Sequence, residues 1–402
     1  MRTRTLIPIF FLCICAFAPR AQESSSPDPV RKYRLLFGAP DESEPFATAG
    51  VTLNKAFMDL YHRGIAPKVP PAMAPWTEIL WSIHWSFFFT MWPHDGGHWA
   101  RAQQVGGNFV ITGFGYPFPT AEMRLPADLD KKLETLTSIG GHEINFLMRE
   151  QIHMDYYTYQ HIFADELIHA FVQDVFYPFY AFVIAYANPD DPSVWTDTRG
   201  DPVESTLSVF ESYTGRPPVR GDGTVDPGLI DQYRESTILS VVWPLFNPLF
   251  YRSLKAFGAD MSRDHGLMTA PWMYGSGKLA YSWGTHFHPS PLGYELYLTN
   301  YFRLLGRLYV LGLKAGRPYK NNGIGLRIPR LAQQGKVYLG AAADFWDQDI
   351  YGRGGSVALD VHYQPARGIG VTVKGGWKSE GYLVGRRVDS SPLVLAGCSY
   401  FF

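Results

Sequence analysis

Cysteine is scarce in this sequence, and an excess of charge of either sign is missing. The 402 residues include 3 cysteines, and 36 Lys and Arg residues balance 37 Asp and Glu residues. Cys13 and Cys15 lie in the N-terminal apolar segment, so removal of that segment would leave only Cys398. We therefore expect no internal disulfide and no cysteine metal cluster. The balanced charge lacks the basic surface typical of nucleic-acid binding, so we expect no nucleic-acid partner.

Several common functional motifs are also missing. The sequence contains no Walker loop and no dinucleotide glycine fingerprint after a strand. It contains no GxSxG nucleophile elbow in a strand–turn–helix context. No segment has the length and uniform apolarity of a transmembrane helix, which argues against an inner-membrane protein.

Aromatic residues, in contrast, are abundant, at 15% of the chain. Aromatic rings are favoured at membrane–water interfaces, so we expect a membrane association. Residues 1–22 combine a basic start, an apolar run and small residues, which is the pattern of a secretory signal peptide. Residues 23–46 are rich in Ser, Pro and acidic residues and are predicted to be flexible.

The periodicity of the remaining sequence changes once. Residues 47–270 show mainly helical periodicity, whereas residues 277–402 show a period of two. Eight segments in the second part have the length and alternation of outer-membrane strands, and an even number of them can close a small barrel. The segments are Gly277–His288, Leu292–Phe302, Gly306–Gly316, Asn322–Arg330, Lys336–Trp346, Ser356–Tyr363, Gly368–Lys378 and Pro392–Phe402.

We therefore predict an α+β protein. An N-terminal α-helical metal-site domain would precede an antiparallel β-domain, which we expect to be an eight-stranded outer-membrane-type barrel. The terminal aromatic residue, Phe402, resembles the C-terminal signal of outer-membrane barrels. A soluble antiparallel sandwich would show the same alternation and is the alternative.

The most distinctive motif is the sequence PHDGGH, residues 93–98. Pro93 fits a helix start. Residues four apart on a helix lie on successive turns, so His94 and His98 can face one point, and two imidazoles in that arrangement suit tetrahedral zinc. Asp95 would lie beside the open coordination position, where it would act as the general base. A purely structural histidine pair is the alternative, but polar groups on an otherwise apolar helix need partners, which favours the metal.

This His-Asp-Gly-Gly-His pattern resembles the zincin metallopeptidase motif, with Asp95 where that family has Glu. The resemblance covers residues 75–175 and implies a gluzincin-like, membrane-associated zinc peptidase. In gluzincins the third zinc ligand is a glutamate on a later helix. The resemblance therefore implies that Glu143 is the third ligand, with His142 as the alternative at the same place.

Two further interpretations concern the helices after the motif. Gly140 and Gly141 would let the helix that carries Glu143 approach the histidine helix closely. Glu143 itself is otherwise explained as a helix N-terminal acid that the helix dipole favours. Further along, the sequence HIFADELIH spaces His161, Asp165 and His169 four apart. Together with His142, these three residues would lie behind the metal ligands and orient them. The alternative interpretation is a polar network between packed helices.

These patterns together predict a zinc-dependent peptide hydrolase of the bacterial cell envelope. It would be exported, anchored in the outer membrane, and act on a peptide or protein substrate of the envelope. Two alternatives remain open. One is a non-catalytic outer-membrane barrel with a helical plug or assembly module. The other is a lipid- or glycan-modifying hydrolase that uses the stripe of His161, Asp165 and His169.

Overall fold

The computed structural model describes residues 31–114, 119–183, 188–196, 201–260, 267–276, 278–365 and 368–401. The predicted signal peptide, the start of the segment predicted to be flexible, and Phe402 lie outside these residues. Within them, helices and strands form a mixed protein with an N-terminal helical region and a large antiparallel sheet. The α+β prediction is confirmed at this level.

Eight α-helices occupy the described part of the first two thirds of the chain. They are α1 (Glu44–Leu60), α2 (Ala74–Gln104), α3 (Lys131–Tyr159), α4 (Ala164–Ala181), α5 (Pro192–Thr196), α6 (Asp201–Thr214), α7 (Pro227–Val242) and α8 (Pro248–Asp260). A π-helical turn, Tyr61–Ile65, and a 3-10 turn, Ala66–Lys68, follow α1, and the 3-10 turn Trp243–Phe246 joins α7 to α8.

Pro93 lies inside α2 and does not begin a helix, so that prediction was wrong. A proline inside a helix cannot donate to the carbonyl four residues earlier, which here belongs to Phe89. Both the Pro93 ring and the Phe89 carbonyl face Gly50 of α1, which has no side chain to obstruct them. The packing of α1 therefore accommodates the proline without ending the helix.

The main sheet has ten strands. In chain order the strands of the described residues are β1 (Lys32–Phe37), β2 (Asn108–Phe114), β3 (Pro119–Arg124), β4 (His161–Phe163), β5 (Leu267–Thr269), β6 (Tyr274–Ser276), β7 (Leu279–Ser290), β8 (Gly293–Leu304), β9 (Arg307–Pro318), β10 (Asn321–Gln334), β11 (Val337–Gln348), β12 (Gly352–Tyr363), β13 (Gly368–Lys378) and β14 (Ser391–Phe401). The order in the main sheet is β1-β14-β13-β12-β11-β10-β9-β8-β7-β6, and β2–β3 and β4–β5 form two small sheets. Every neighbouring pair in the main sheet is antiparallel.

The eight predicted strands correspond to β7–β14, and the short strands β1 and β6 extend the two edges. Strand β1 lies in the segment predicted to be flexible. It is ordered because its six residues pair with Ala396–Phe401 of β14. Among the described strands, β1 and β6 each pair with one neighbour only, so no closed barrel is found there.

The two faces of the sheet differ in an unusual way. The outward side chains of β12, Val357, Leu359 and Val361, are 53%, 55% and 46% exposed, as predicted from their alternation. The opposite face lines a cavity of about 330 Å³ together with α3, and Asp360 and Lys374 are among its polar walls. Strands β12 and β13 are therefore apolar on the outer face and polar on the inner face, whereas β8 and β14 bury apolar residues such as Tyr301 and Leu395. Within the described residues, no helix combines the length and apolarity needed to cross a bilayer.

Helix α3 joins the helical region to the sheet. It packs against α1, α2, α4 and α6, and also against β7. Its buried apolar residues, including Ile144, Met148 and Ile152, belong to one core cluster with Tyr301 of β8. Side chains on different faces of α3 consequently meet either the other helices or the sheet.

Candidate metal centre

The site begins with the close crossing of α2 and α3. A Cβ atom added to Gly97 would overlap the backbone carbonyl of Gly140, and one added to Gly140 would overlap the carbonyl of Gly97. A Cβ atom at Gly141 would overlap the His94 ring. The predicted function of the paired glycines, close approach of the two helices, is therefore confirmed. The crossing places His94 and His98 of α2 against α3.

His94 and His98 meet a third donor, Asp201, at the first residue of α6. His94 Nε2 lies 2.6 Å from Asp201 Oδ2, and His98 Nε2 lies 3.3 Å from the same oxygen. The two Nε2 atoms are 3.3 Å apart. Ligands at zinc distances in a tetrahedron are separated by about 3.3 Å, so two of these three separations already suit one zinc ion. The third is shorter because His94 Nε2 donates a hydrogen bond to Asp201 Oδ2.

Backbone and amide partners on α3 orient the two rings. His98 Nδ1 lies 2.6 Å from the carbonyl oxygen of Thr137, which it can bond only as a protonated donor. In the metal-free protein His98 Nε2 also carries a proton and donates to Asp201 Oδ2, and loss of that proton would leave the Nε2 lone pair available to a metal ion. His94 Nδ1 lies 3.3 Å from Asn145 Nδ2, and rotation of this amide by 180° would bring its oxygen into place to accept a hydrogen bond from Nδ1. Both contacts are of the kind that orients metal-binding histidines.

The electrostatics of the cluster favour a cation. Burial disfavours the charged form of His98, but the charge of Asp201 and the hydrogen bonds outweigh it and raise the pKa of His98 to about 9. Burial also opposes ionisation of Asp201, yet His98 and the hydrogen bonds from both histidines hold its pKa well below the usual range. The cluster thus retains a carboxylate beside a proton that a metal ion would displace.

Asp95, the predicted general base, follows His94 on the same helix. Burial raises the pKa of its carboxyl, although the nearby His94 and His98 oppose the rise. Its Oδ2 atom is buried and has no hydrogen-bond partner within the described part of the chain. A carboxylate with a raised pKa and a free oxygen is suited to accept a proton at neutral pH.

Glu143, the predicted third ligand, has a different partner. Both of its oxygens accept hydrogen bonds from the Arg101 guanidinium, Oε2 from Nε at 2.6 Å and Oε1 from Nη2 at 2.5 Å. Glu143 and Arg101 are both fully buried. The Glu143 carboxylate therefore neutralises Arg101, and Asp201 takes the position beside the histidines that the gluzincin resemblance assigns to Glu143.

His142 lies beside the cluster without joining it through a hydrogen bond. Its ring centroid is 5.0 Å from that of His94 and 4.8 Å from that of Tyr177, and neither of its nitrogens has a hydrogen-bond partner among the described residues. Burial and the adjacent His94 lower the pKa of His142 well below its ordinary value. His142 is therefore a neutral wall of the site.

The predicted stripe of His161, Asp165 and His169 does not form on one helix. His161 belongs to β4, which pairs with β5, and α4 begins only at Ala164. Asp165 accepts a hydrogen bond from Arg31 at 2.5 Å. This ion pair agrees with the alternative interpretation, a polar network between packed elements.

Asp201 is the residue of this site that the sequence did not reveal. The sequence of residues 188–202 is rich in Asn, Asp, Pro and Gly, which is the composition of a loop. The one available signal was Asp followed by Pro, a common combination at the start of a helix. That signal predicts the helix start but not which neighbouring helix the carboxylate faces.

A scan against protein-family models found no match, and searches of curated proteins and of solved structures found none. The resemblance to zincin peptidases therefore depends on the motif residues alone.

Proposed function

We propose that this protein is a zinc-dependent hydrolase of the bacterial cell envelope and that peptides are its substrate class. The observation that carries the proposal is the convergence of His94, His98 and Asp201 at separations of 2.6 to 3.3 Å. Two imidazoles and one carboxylate are a donor set typical of catalytic zinc, which keeps a fourth position open. The peptide class follows from the resemblance of the motif to zincins.

The side chains have distinct roles in this proposal. His94 and His98 bind the ion through Nε2, and Asp201 binds it through Oδ2. When bound, zinc would polarise the scissile carbonyl and lower the pKa of the attacking water. Asp95 would be the basic group that takes a proton from the attacking water and returns it to the leaving amine. Thr137 holds His98 in the tautomer that a ligand needs, and Asn145 would do the same for His94 with its amide rotated by 180°.

Access to the site would be from the Asp201 side. The His94 and His98 side chains are only 3% and 6% exposed, whereas that of Asp201 is 22% exposed. A substrate carbonyl would therefore approach past the N-terminus of α6. The buried sides of the cluster exclude competing water.

The location in the outer membrane is part of the same proposal. Alternate residues of β13 and β14 expose apolar side chains, with Ile369 and Val394 at 70% and 68%. Large contiguous apolar surfaces are uncommon on soluble monomers. An apolar outer face with a polar inner face is the arrangement of strands that contact lipid. We infer that this face of the sheet lies against lipid and holds the helical region at the membrane.

Three variants test the hydrolase. Asp95→Asn keeps the side-chain size but removes the basic oxygen, so turnover of fluorogenic peptide mixtures should fall by roughly 10²–10⁴-fold while zinc stays bound. His94→Ala should lose both zinc and activity. Asp95→Glu would restore the usual zincin residue and should retain activity. Asp128→Asn, at an exposed carboxylate in a turn, is the matched control and should behave as wild type.

The opposite pattern would reject the proposal. If Asp95→Asn loses zinc as fully as His94→Ala, Asp95 is a ligand or a folding residue. If all variants match wild type on every peptide, the site is not catalytic.

A second candidate function is non-catalytic: the helical region would be a plug held against the inner face of the sheet. The observation in its favour is the network of ion pairs between α1 and the sheet end of the chain. Glu44 of α1 accepts hydrogen bonds from Lys374 of β13 and from Arg386. Under this candidate the bound metal would only stabilise the fold, and no variant at Asp95 would change any reaction.

A further inference from the structure

A second cluster of donor atoms lies between α3 and the sheet. It consists of Glu150 and His153 of α3 and His286 of β7, with one ligand atom of each within 4.8 Å of the others. The three residues are 8%, 0% and 0% exposed. Helix α3 thus presents one group of side chains to α2 and a separate group to β7.

The donor atoms of this cluster lack hydrogen-bond partners, although the second oxygen of Glu150, Oε2, lies 3.7 Å from Arg327 Nη1. Neither ring nitrogen of His153 and neither of His286 makes a hydrogen bond with any described residue, and the same is true of Glu150 Oε1. Glu150 Oε1 and His286 Nε2 are only 3.2 Å apart, yet they are not aligned for a hydrogen bond. Buried polar atoms in native proteins nearly always have a partner, so these unpaired donor atoms, one from each residue within 4.8 Å of the others, are suited to bind a common ligand.

We propose that Glu150, His153 and His286 bind a second divalent transition-metal ion of the zinc class. Two imidazoles and a carboxylate match the donor preference of zinc, whereas calcium and magnesium prefer oxygen ligands throughout.

A fourth residue, Asp174 of α4, lies behind the proposed site. Its Oδ1 atom is 4.0 Å from His286 Nδ1 and accepts a hydrogen bond from Arg149 at 2.7 Å. Its Oδ2 atom is buried and has no hydrogen-bond partner among the described residues. At 4.0 Å the Asp174 carboxylate forms no hydrogen bond with His286, so it contributes negative charge beside the ring and does not bind the ion.

The two sites are separate mononuclear centres. Asn145, which contacts the first site, and His153, in the second, are eight residues apart on α3, or about 12 Å along the helix axis. Dinuclear centres need roughly 3.5–4 Å between ions. The second ion would link α3 to β7 and so fasten the helical region to the sheet. Glu150 also lines the internal cavity, which would give the ion a path of entry.

Metal content of the purified full-length protein tests this proposal. Wild type loaded with zinc and then desalted should retain two equivalents, and the double variant His94→Ala/His98→Ala should retain one. Adding His153→Gln or His286→Gln to that double variant should remove the remaining equivalent. The matched control is His288→Gln, a buried histidine two residues along β7 whose Nε2 already contacts the Tyr382 hydroxyl at 2.9 Å. The control should retain one equivalent in the same background.

Two results would overturn the second site. One is a double variant that holds no zinc, and the other is an unchanged zinc content after His153→Gln and His286→Gln. If His94, His98 and Asp201 bind no zinc, wild type should retain one equivalent, and only the His153 and His286 variants should remove it. The two proposals can therefore fail separately. Because His286→Gln removes a fully buried ring and can disturb folding, X-ray absorption of zinc in the folded double variant provides an independent check. Two imidazole nitrogens bound to the zinc would support the second site, and fewer than two would contradict it.

Discussion

At the scale of single residues, Glu143 and Asp201 show how surroundings decide the role of a carboxylate. Glu143 is fully buried against Arg101, and each charge neutralises the other. Asp201 is at a helix start, is partly exposed, and contacts two histidine rings. Only Asp201 has the geometry of a metal ligand, although Glu143 is nearer to the histidine motif in the sequence.

A matched pair of substitutions separates these roles. Asp201→Asn should weaken zinc affinity by at least about 100-fold and, in the absence of metal, should cost less stability than Glu143→Gln because Asp201 is partly exposed. Glu143→Gln should retain zinc but lower the free energy of unfolding by about 3 kcal/mol, because the Arg101 charge would remain buried without its counter-charge. Zinc competition with a chelating dye and urea unfolding in detergent measure the two effects. If Glu143→Gln lost zinc and Asp201→Asn retained it, Glu143 would be the third ligand.

A buried histidine away from the metal site should make stability depend on pH. Burial, together with the charge of Lys55, lowers the pKa of His169 to about 3, against an ordinary value of 6.5. Lys55 is itself paired with Glu166 at 2.5 Å. Between pH 6.5 and pH 3 the unfolded chain binds a proton at His169 that the folded chain does not, so stability falls as pH falls through this range.

The effect of His169 can be isolated by substitution. Between pH 6.5 and pH 5 its contribution should approach 2 kcal/mol, at about 1.4 kcal/mol per pH unit. His169→Gln should therefore lose less stability than wild type over that interval, whatever its stability at pH 7.5. Urea unfolding of both proteins at the two pH values gives the comparison. Parallel losses would show that His169 is protonated equally in both states.

At the scale of elements, the crossing of α2 and α3 determines whether the site forms. Gly97→Ala should destabilise the protein by several kcal/mol and reduce zinc binding, because the added Cβ meets the Gly140 backbone. Gly258→Ala is the matched control, since nothing lies within 4 Å of its added Cβ and the residue is exposed on α8. The control should be neutral or stabilised by up to about 1 kcal/mol. Thermal unfolding and zinc content check both, and equal behaviour would exclude a tight crossing.

Elements with a strong local pattern could be predicted from the sequence, and those defined by distant contacts could not. The alternation of β7–β14 and the glycine pair Gly140 and Gly141 on α3 carry their own signal, and the strands and the close helix crossing form as expected. The order of β1 depends on pairing with β14, more than 300 residues later. Asp201 likewise meets His94 across 107 residues, through the packing of α6 on α3. No local pattern records such contacts.

At the scale of the whole molecule, the apolar outer face of the sheet predicts a membrane-dependent phenotype. Val394→Arg places a charge at a 68% exposed position of that face, which should cost roughly 2–4 kcal/mol if it lies near the middle of the bilayer. Gln334→Arg, at an exposed hairpin end of β10, should cost little. Fractionation of expressing cells should show less Val394→Arg than wild type in the outer membrane. Equal membrane fractions would indicate that this face does not contact lipid.

The proposed function depends most on the binding of one zinc ion by His94, His98 and Asp201. Anomalous diffraction at the zinc edge from crystals of the zinc-loaded protein tests it most directly. We expect an anomalous peak about 2.0–2.2 Å from His94 Nε2, His98 Nε2 and Asp201 Oδ2, with Glu143 still bound to Arg101. A fully loaded crystal with no peak between these three atoms, or with Glu143 in place of Asp201, would contradict it.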